Sequence, residues 1–260
     1  MAVKGAALVT GGARRLGRAM ALALAGRGID VAIHYDRSQD EAEATAAEAR
    51  ALGVRAATFQ ADLLDEPATA ALIPAVTKAL GPLGVLVHNA SIFEYDNIAT
   101  ATRESWDRQF GSHLRAPFLL TQAFAAQAPA PAVVEGEPRA TGLIVNMIDQ
   151  RVLKPTPEFM TYSLAKAGLW ALTRTSAQAL APRIRVNAIG PGPTMQGARQ
   201  TAEHFARQRA ATILQRGADA ADIVAAMLYL LGAPAVTGQL ICVDGGQHLA
   251  WQTADALGVE

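Results

Sequence analysis

The sequence predicts an α/β protein: one doubly wound parallel sheet of about seven strands, helices on both faces, a single domain over residues 1–260. Three observations predict it. Short apolar runs alternate with longer helical patterns along the whole chain, the signature of βαβ crossovers. The runs ALVT, VLVHN and LIVNM are almost continuously apolar, as strands buried on both faces should be. Apolar residues make up 51% of the 260 residues and charged residues only 18%, below the ordinary quarter.

In chain order, strands are predicted near Ala6–Thr10, Val31–His34, Ala56–Gln60, Val85–Asn89, Leu143–Ile148, Arg185–Ile189 and Leu240–Val243. Helical periodicity fills the gaps near Arg14–Arg27, Gln39–Leu52, Pro67–Leu80, Arg103–Gln127, Phe159–Leu180 and Ala220–Leu231. The Pro- and Gly-rich stretch 128–142 reads as a surface connection, because the alternation resumes unchanged after it. A second such stretch, GPGPTMQGARQ at 190–200, follows the sixth strand. Open α/β sheets bind ligands at the carboxyl ends of strands, so a substrate loop is expected near 190–205.

The bulk numbers narrow the function. Lys plus Arg and Asp plus Glu both number 23, giving zero net charge, so there is no electrostatic footprint for nucleic acid or a membrane surface. The lone cysteine, Cys242 in QLICV, excludes an intrachain disulfide and reads as a small core residue. No apolar run reaches the length of a membrane span and no leader opens the chain; a soluble cytoplasmic protein is expected. His34, His88, His204 and His248 show no metal-ligand spacing and read as structural or surface residues. No metal site is predicted.

Chemistry begins at TGGARRLGRAM, residues 10–20. Glycines between a strand and a helix allow a tight turn and close backbone approach, and the helix N-terminus offers free N–H groups to a pyrophosphate. Gly11, Arg14, Arg15, Leu16 and Gly17 are therefore candidate cofactor contacts. The second strand ends in HYDRS, residues 34–38, where a dinucleotide's adenosine ribose is met. The carboxylate that reads a free 2′-hydroxyl normally stands at the strand end, here Tyr35. Arg37, Ser38 and Arg14 weigh more than Asp36, and they favour a 2′-phosphate, hence NADPH.

The third stretch is LIVNMIDQRVLKPTPEFMTYSLAK, residues 143–166. Tyr162 and Lys166, four apart, share a helix face. An ammonium near a phenol lowers its pKa, which makes a proton donor. Asp149 precedes this pair by thirteen residues, at the end of the fifth strand.

Thr10-Gly11 with Gly17, Asn89-Ala90, Tyr162 with Lys166, and Pro191-Gly192 occur in one order and at one spacing. Together they resemble the short-chain dehydrogenase/reductase family over nearly all of residues 5–247. The resemblance implies a Rossmann-type fold, a nicotinamide cofactor, and Tyr162 as proton donor with Lys166 on the nicotinamide ribose. It also implies Asp62 and Leu63 near the adenine, Asn89 and Ala90 lining the cofactor groove, and Pro191 and Gly192 along it. Tetramers and dimers are common in that family; a homotetramer, or else a dimer, is expected.

Details point further. Most members carry serine where this chain has Asp149 and glycine where it has Arg15. TGGARRLGR, HYDRS, HNASIF, NMID and YSLAK are similar to the pteridine and dihydromonapterin reductases. That resemblance implies Arg15 on cofactor phosphate and pterin, Ser91 near both, Phe93 stacked on the pterin ring, and Pro193 on the substrate side. Where the family usually has an asparagine that relays protons toward the lysine, this chain has His113. A histidine can hold a water chain too, although its protonation varies near neutral pH.

The expected activity is NADPH-dependent reduction of a dihydropterin at a ring C=N carbon, Tyr162 with Asp149 protonating the adjacent nitrogen. The alternatives are a reductase of ketones or 3-oxoacyl thioesters, and a non-catalytic NADPH-binding sensor. A tail, 247–260, continues past the usual family end, and Trp251 in it suggests docking against a neighbouring subunit or the rim of the site.

Overall fold

A computed structural model describes residues 3, 5–197 and 200–253. Strand β1 (Ala6–Val9) leads through α1 (Arg15–Ala25) to β2 (Val31–Tyr35), then α2 (Gln39–Ala51), β3 (Ala56–Gln60), α3 (Glu66–Leu80) and β4 (Leu83–His88). A long helical rod follows in three parts: α4 (Arg103–Phe110), a π-helical turn at Gly111–Arg115, and α5 (Ala116–Gln127). Next come β5 (Ala132–Val134), β6 (Glu137–Arg139), β7 (Gly142–Met147), α6 (Met160–Leu180), β8 (Ile184–Pro191), α7 (Ala202–Ala210), α8 (Ala220–Gly232) and β9 (Leu240–Val243).

Seven strands form one sheet in the order β3-β2-β1-β4-β7-β8-β9, every neighbouring pair parallel. Alternate strand residues feed two cores. Ala7, Val9, Val87 and Val145 pack with Met20 and Leu24 of α1 and Ile223 and Met227 of α8. Leu8, Leu86 and Ile144 pack with Leu72 and Val76 of α3 and Leu120 and Phe124 of α5. This double burial is why the strand sequences lack polar alternation. Chain order reverses between β1 and β4, so their carboxyl ends splay apart into a crevice, the ligand position of an open α/β sheet.

The structure departs from the sequence reading in three places. The 128–142 connection contains a small antiparallel hairpin, β5–β6. The helix expected over Arg103–Gln127 is broken by the π turn, which carries His113. The expected loop after the sixth strand begins later, because β8 runs on to Pro191, and it contains α7. Residues 198–199 of that loop and 254–260 of the tail lie outside the described residues. Trp251 is 61% exposed.

Candidate active site

A cleft of about 640 Å³ opens over the crevice. Its cofactor end is built from main chain. Helix α1 begins without a side-chain cap on Arg14 and without an acid in its first turn, leaving its terminal N–H groups for an anion. Gly17 must be glycine, since a Cβ there would lie 2.0 Å from the Gly11 carbonyl oxygen. Asn89 locks the turn: its Nδ2 donates to the carbonyls of Thr10 at 3.0 Å and Gly11 at 3.1 Å.

His34, read above as structural, has a specific task in this turn. The Gly11 N–H donates to its Nδ1 at 3.0 Å, so the ring proton is on Nε2, facing the Ala61 carbonyl at 3.1 Å. Burial pushes its pKa down, which keeps that acceptor available.

At the end of β2, Tyr35, Arg37 and Ser38 line the cleft. Arg37 pairs with Asp36 at 3.3 Å and Arg14 with Glu41 at 3.3 Å. Such exposed pairs are weak, so both guanidiniums can turn to a 2′-phosphate. Asp62 and Leu63 stand outside the cleft lining. After β3 the chain turns toward α3, and Asp62 Oδ1 closes that turn by accepting from the Leu64 N–H at 2.9 Å.

The far end gathers the titratable side chains predicted to react. Tyr162 donates its hydroxyl proton to Asp149 Oδ2 at 3.0 Å, while Asp149 Oδ1 accepts from the Arg151 N–H at 2.9 Å. Lys166 Nζ donates to the Met147 carbonyl at 2.7 Å and stands 5.6 Å from the Tyr162 ring centroid. Burial raises the Asp149 pKa, against the Arg151 N–H and charge, the Tyr162 hydroxyl and Lys166. Burial also lowers Lys166, to about 8, against the pull of Asp149.

Tyr162 corrects an expectation. Its pKa is raised well above the ordinary phenol value, first by burial and then by the Asp149 charge and hydrogen bond. In this arrangement desolvation and the neighbouring carboxylate outweigh the opposing Arg151 charge. Tyr162 therefore stands in the cleft as a neutral hydroxyl, a donor that keeps its proton until a strong acceptor arrives.

Above this pair, Phe93 meets the Tyr162 ring edge-on at 4.8 Å and stacks on Phe159 at 4.3 Å with 7° between planes. Arg151 covers the Phe159 ring, 5.1 Å from its centroid. Phe159 adopts a left-handed backbone, φ 54°, just before α6. It is fixed there by its N–H bond to the Asp96 carbonyl at 2.8 Å. Asp96 also binds the Thr161 N–H at 3.1 Å and the Thr161 hydroxyl through its buried carboxylate. Phe159 and Asp96 went unread in the sequence. Their signal, an acid near β4 facing Thr161 across 65 residues, is not a local pattern.

Ser91 and Pro193 line the cleft, as do Ala90, Leu16, Pro191 and Gly192. Gly192 has no room for a Cβ, which would meet Asp244 at 2.6 Å. Arg15 has a left-handed backbone, φ 54°, and its guanidinium donates to the carbonyls of Gln196 at 2.9 Å and Met195 at 3.1 Å. It thereby ties the glycine turn to the loop after β8 across the cleft mouth. Phe205 and Gln208 of α7 complete the wall; the sequence reading placed no helix there. His113 is buried outside the lining, its Nε2 facing the Ser91 hydroxyl at 2.9 Å and the Ile92 N–H at 3.2 Å.

A family model described as enoyl-(acyl carrier protein) reductase matches residues 11–248. The chain belongs to the short-chain dehydrogenase/reductase family. It is 44% identical to the FolM alternative dihydrofolate reductase 1 of Brucella suis, whose crystal structure is a complex with NADP. The TM-score is 0.91, and 98% of this chain and 99% of that one are covered. The corresponding Brucella canis protein, also complexed with NADP, gives 44% identity and a TM-score of 0.91, covering 98% of each chain. A Staphylococcus aureus 3-oxoacyl-(acyl-carrier-protein) reductase is 32% identical over 94% of this chain and 98% of its own length. Among the described residues no helix is long and apolar enough to cross a membrane, and no group of His, Cys, Asp and Glu could hold a metal ion.

Proposed function

We propose that this protein is an NADPH-dependent reductase of a dihydropterin, with Tyr162 and Asp149 delivering the proton to the ring nitrogen beside the carbon reduced. The cleft suits the cofactor on its own terms: an uncapped helix start, a glycine at Gly17 that nothing larger could replace, and two turnable arginines beside Ser38. NADPH, when bound, supplies the hydride.

The hydrogen bond between Asp149 and Tyr162 carries the reading. A ketone becomes an alkoxide on hydride attack, and an ionised carboxylate at this position would oppose the developing charge. An imine becomes an amide-like anion on a basic nitrogen, which takes a proton readily. Tyr162, held neutral, gives that proton; Asp149, its pKa raised by burial, then takes up a proton from solvent and passes it to the tyrosinate, restoring the donor. The carboxylate can also hold amino and amide N–H groups of a pterin. Phe93, backed by Phe159, offers an aromatic surface beside Tyr162. The likeness to proteins described as alternative dihydrofolate reductases supports the same substrate class.

NADPH oxidation followed with dihydrobiopterin, dihydromonapterin and dihydrofolate tests the proposal; silence with all three removes it. Asp149→Ser should lower pterin turnover by about 100-fold, the scale of lost acid–base assistance. Unchanged turnover would make Asp149 a bystander. The second reading, a 3-oxoacyl thioester reductase, is favoured by the 32%-identical relative; turnover of an acetoacetyl thioester alone would establish it. NADPH binding without turnover of any substrate would point to a sensor.

A further inference from the structure

We infer that His113 is a positioning residue for the substrate face: through Nε2 its ring holds Ser91 and Ile92, and so aims Phe93, rather than passing protons toward Lys166. The inference takes the identity of the substrate from the pterin reading above; its geometry does not depend on it.

The hydrogen-bond directions fix the ring's state. A backbone N–H can only donate, and the Ile92 N–H points at His113 Nε2, 3.2 Å away. That nitrogen therefore carries no proton, and the ring proton must be on Nδ1, where it meets the Gln109 carbonyl at 3.1 Å. The Ser91 hydroxyl at 2.9 Å then also donates to Nε2. Two donors fill one acceptor, and the other nitrogen is committed to its own helix. Neither ring nitrogen is hydrogen-bonded to Lys166, whose Nζ donates instead to the Met147 carbonyl. Protonating the ring would set a new N–H against the Ile92 N–H. Burial and the nearby Lys166 charge oppose this too.

The π turn makes the arrangement reachable. A π-helical turn widens the helix by one residue and often marks a functional position; here it is Gly111–Arg115, with His113 at its centre and 1% exposed. From there the ring also meets Tyr162 edge-on, 5.2 Å between centroids at 88°. Phe93 meets the same Tyr162 ring at 4.8 Å. His113 and Phe93 thus both abut the proton donor, and the two-residue link through Ser91 and Ile92 sets one relative to the other. The cofactor side does not share this anchor, because Asn89 and Ala90 are tied to Thr10.

Two variants separate positioning from relay. In His113→Asn the carbonyl falls short of Ile92, near the old Nδ1 position; in His113→Gln it reaches the Nε2 position. His113→Asn should lower kcat/KM for the pterin by roughly 30-fold, the scale of two lost hydrogen bonds. Its NADPH Kd should stay within about twofold of wild type, and His113→Gln should recover most of the loss. Wild-type activity in the Asn variant, the residue usual at this position in the family, would overturn the inference. So would parallel loss of Tm, NADPH binding and turnover in both variants, which would mean a merely structural ring. Nitrogen-15 NMR of the ring provides a readout free of the substrate. Nε2 should remain an unprotonated acceptor from about pH 5.5 to 8.5, across the range where a free histidine titrates. Protonation within that range overturns the inference. If the wild type reduces no pterin, the pterin reading alone falls, and the NMR result decides His113.

Discussion

The two ends of the cleft are held by different means. At the cofactor end, Gly11, Gly17 and the open start of α1 present main chain, and the supports, Asn89 and His34, themselves bind main-chain groups. At the Tyr162 end, side chains bind side chains or reach across the fold: Tyr162 to Asp149, Thr161 to Asp96, Ser91 to His113, Phe93 onto Phe159. Geometry at the first end is therefore tolerant of side-chain identity except where glycine is compulsory. Geometry at the second depends on a handful of specific polar and aromatic groups. Function should be correspondingly easier to redirect at the second end than at the first.

The sharpest test of that contrast is Tyr162→Phe. It removes the donor while leaving the aromatic contacts with Phe93 and His113, so kcat should fall by about 1,000-fold with NADPH affinity nearly unchanged. Stopped-flow kinetics with fluorescence titration of NADPH checks both halves at once. Asp96→Ala comes next. It strips two hydrogen bonds from the start of α6 and should cost about 3 kcal/mol in urea unfolding. It should weaken catalysis more than NADPH binding; the reverse order would break the division between the ends. Arg37→Ala acts on the cofactor end alone. It should weaken NADPH binding by about tenfold, the scale of one charged hydrogen bond, and leave NADH binding unaltered, as isothermal titration would record.

The smallest expected effect is on stability against pH. Lys166 has its pKa lowered from 10.5 to about 8 by burial. Between those values the unfolded chain binds more protons than the folded one, so this group's contribution to stability rises with pH from about 8 to 10.5 and is lost as pH falls through 8. Asp149 has the opposite sign. Its raised pKa contributes stability at low pH that declines as pH rises above the ordinary carboxylate value through the raised one. Melting temperatures of wild type and Lys166→Met across pH 7 to about 10.5 should converge at the alkaline end, by a few degrees in all. A gap independent of pH would show that Lys166 is not desolvated.

The sheet and the helices flanking it were legible because burial on both faces leaves a continuous apolar signature, read strand by strand from ALVT to LICV. Legible too were Gly11, Gly17, Tyr162, Lys166 and Asp149, which all line the cleft. The hairpin at 132–139 and helix α7 were not. Both are short and exposed, α7 has no buried residue, and neither presents an apolar period strong enough to register. The Asp96–Thr161 clamp spans 65 residues and the tie from Arg15 to Gln196 spans 181.

By itself the sequence determined the α/β class, the glycine-rich turn that opens the first helix and the shared helix face of Tyr162 and Lys166, because each rests on spacing within one strand, turn or helix face. Tertiary structure decided the electrostatic state of those side chains. Whether Lys166 depresses the Tyr162 pKa or Asp149 and burial raise it depends on distances and desolvation that no spacing encodes. It likewise decided the tautomers of His34 and His113, which follow from which backbone N–H groups the fold brings to them. Local chemistry follows from covalent order, whereas proton positions follow from what the folded chain packs around each group.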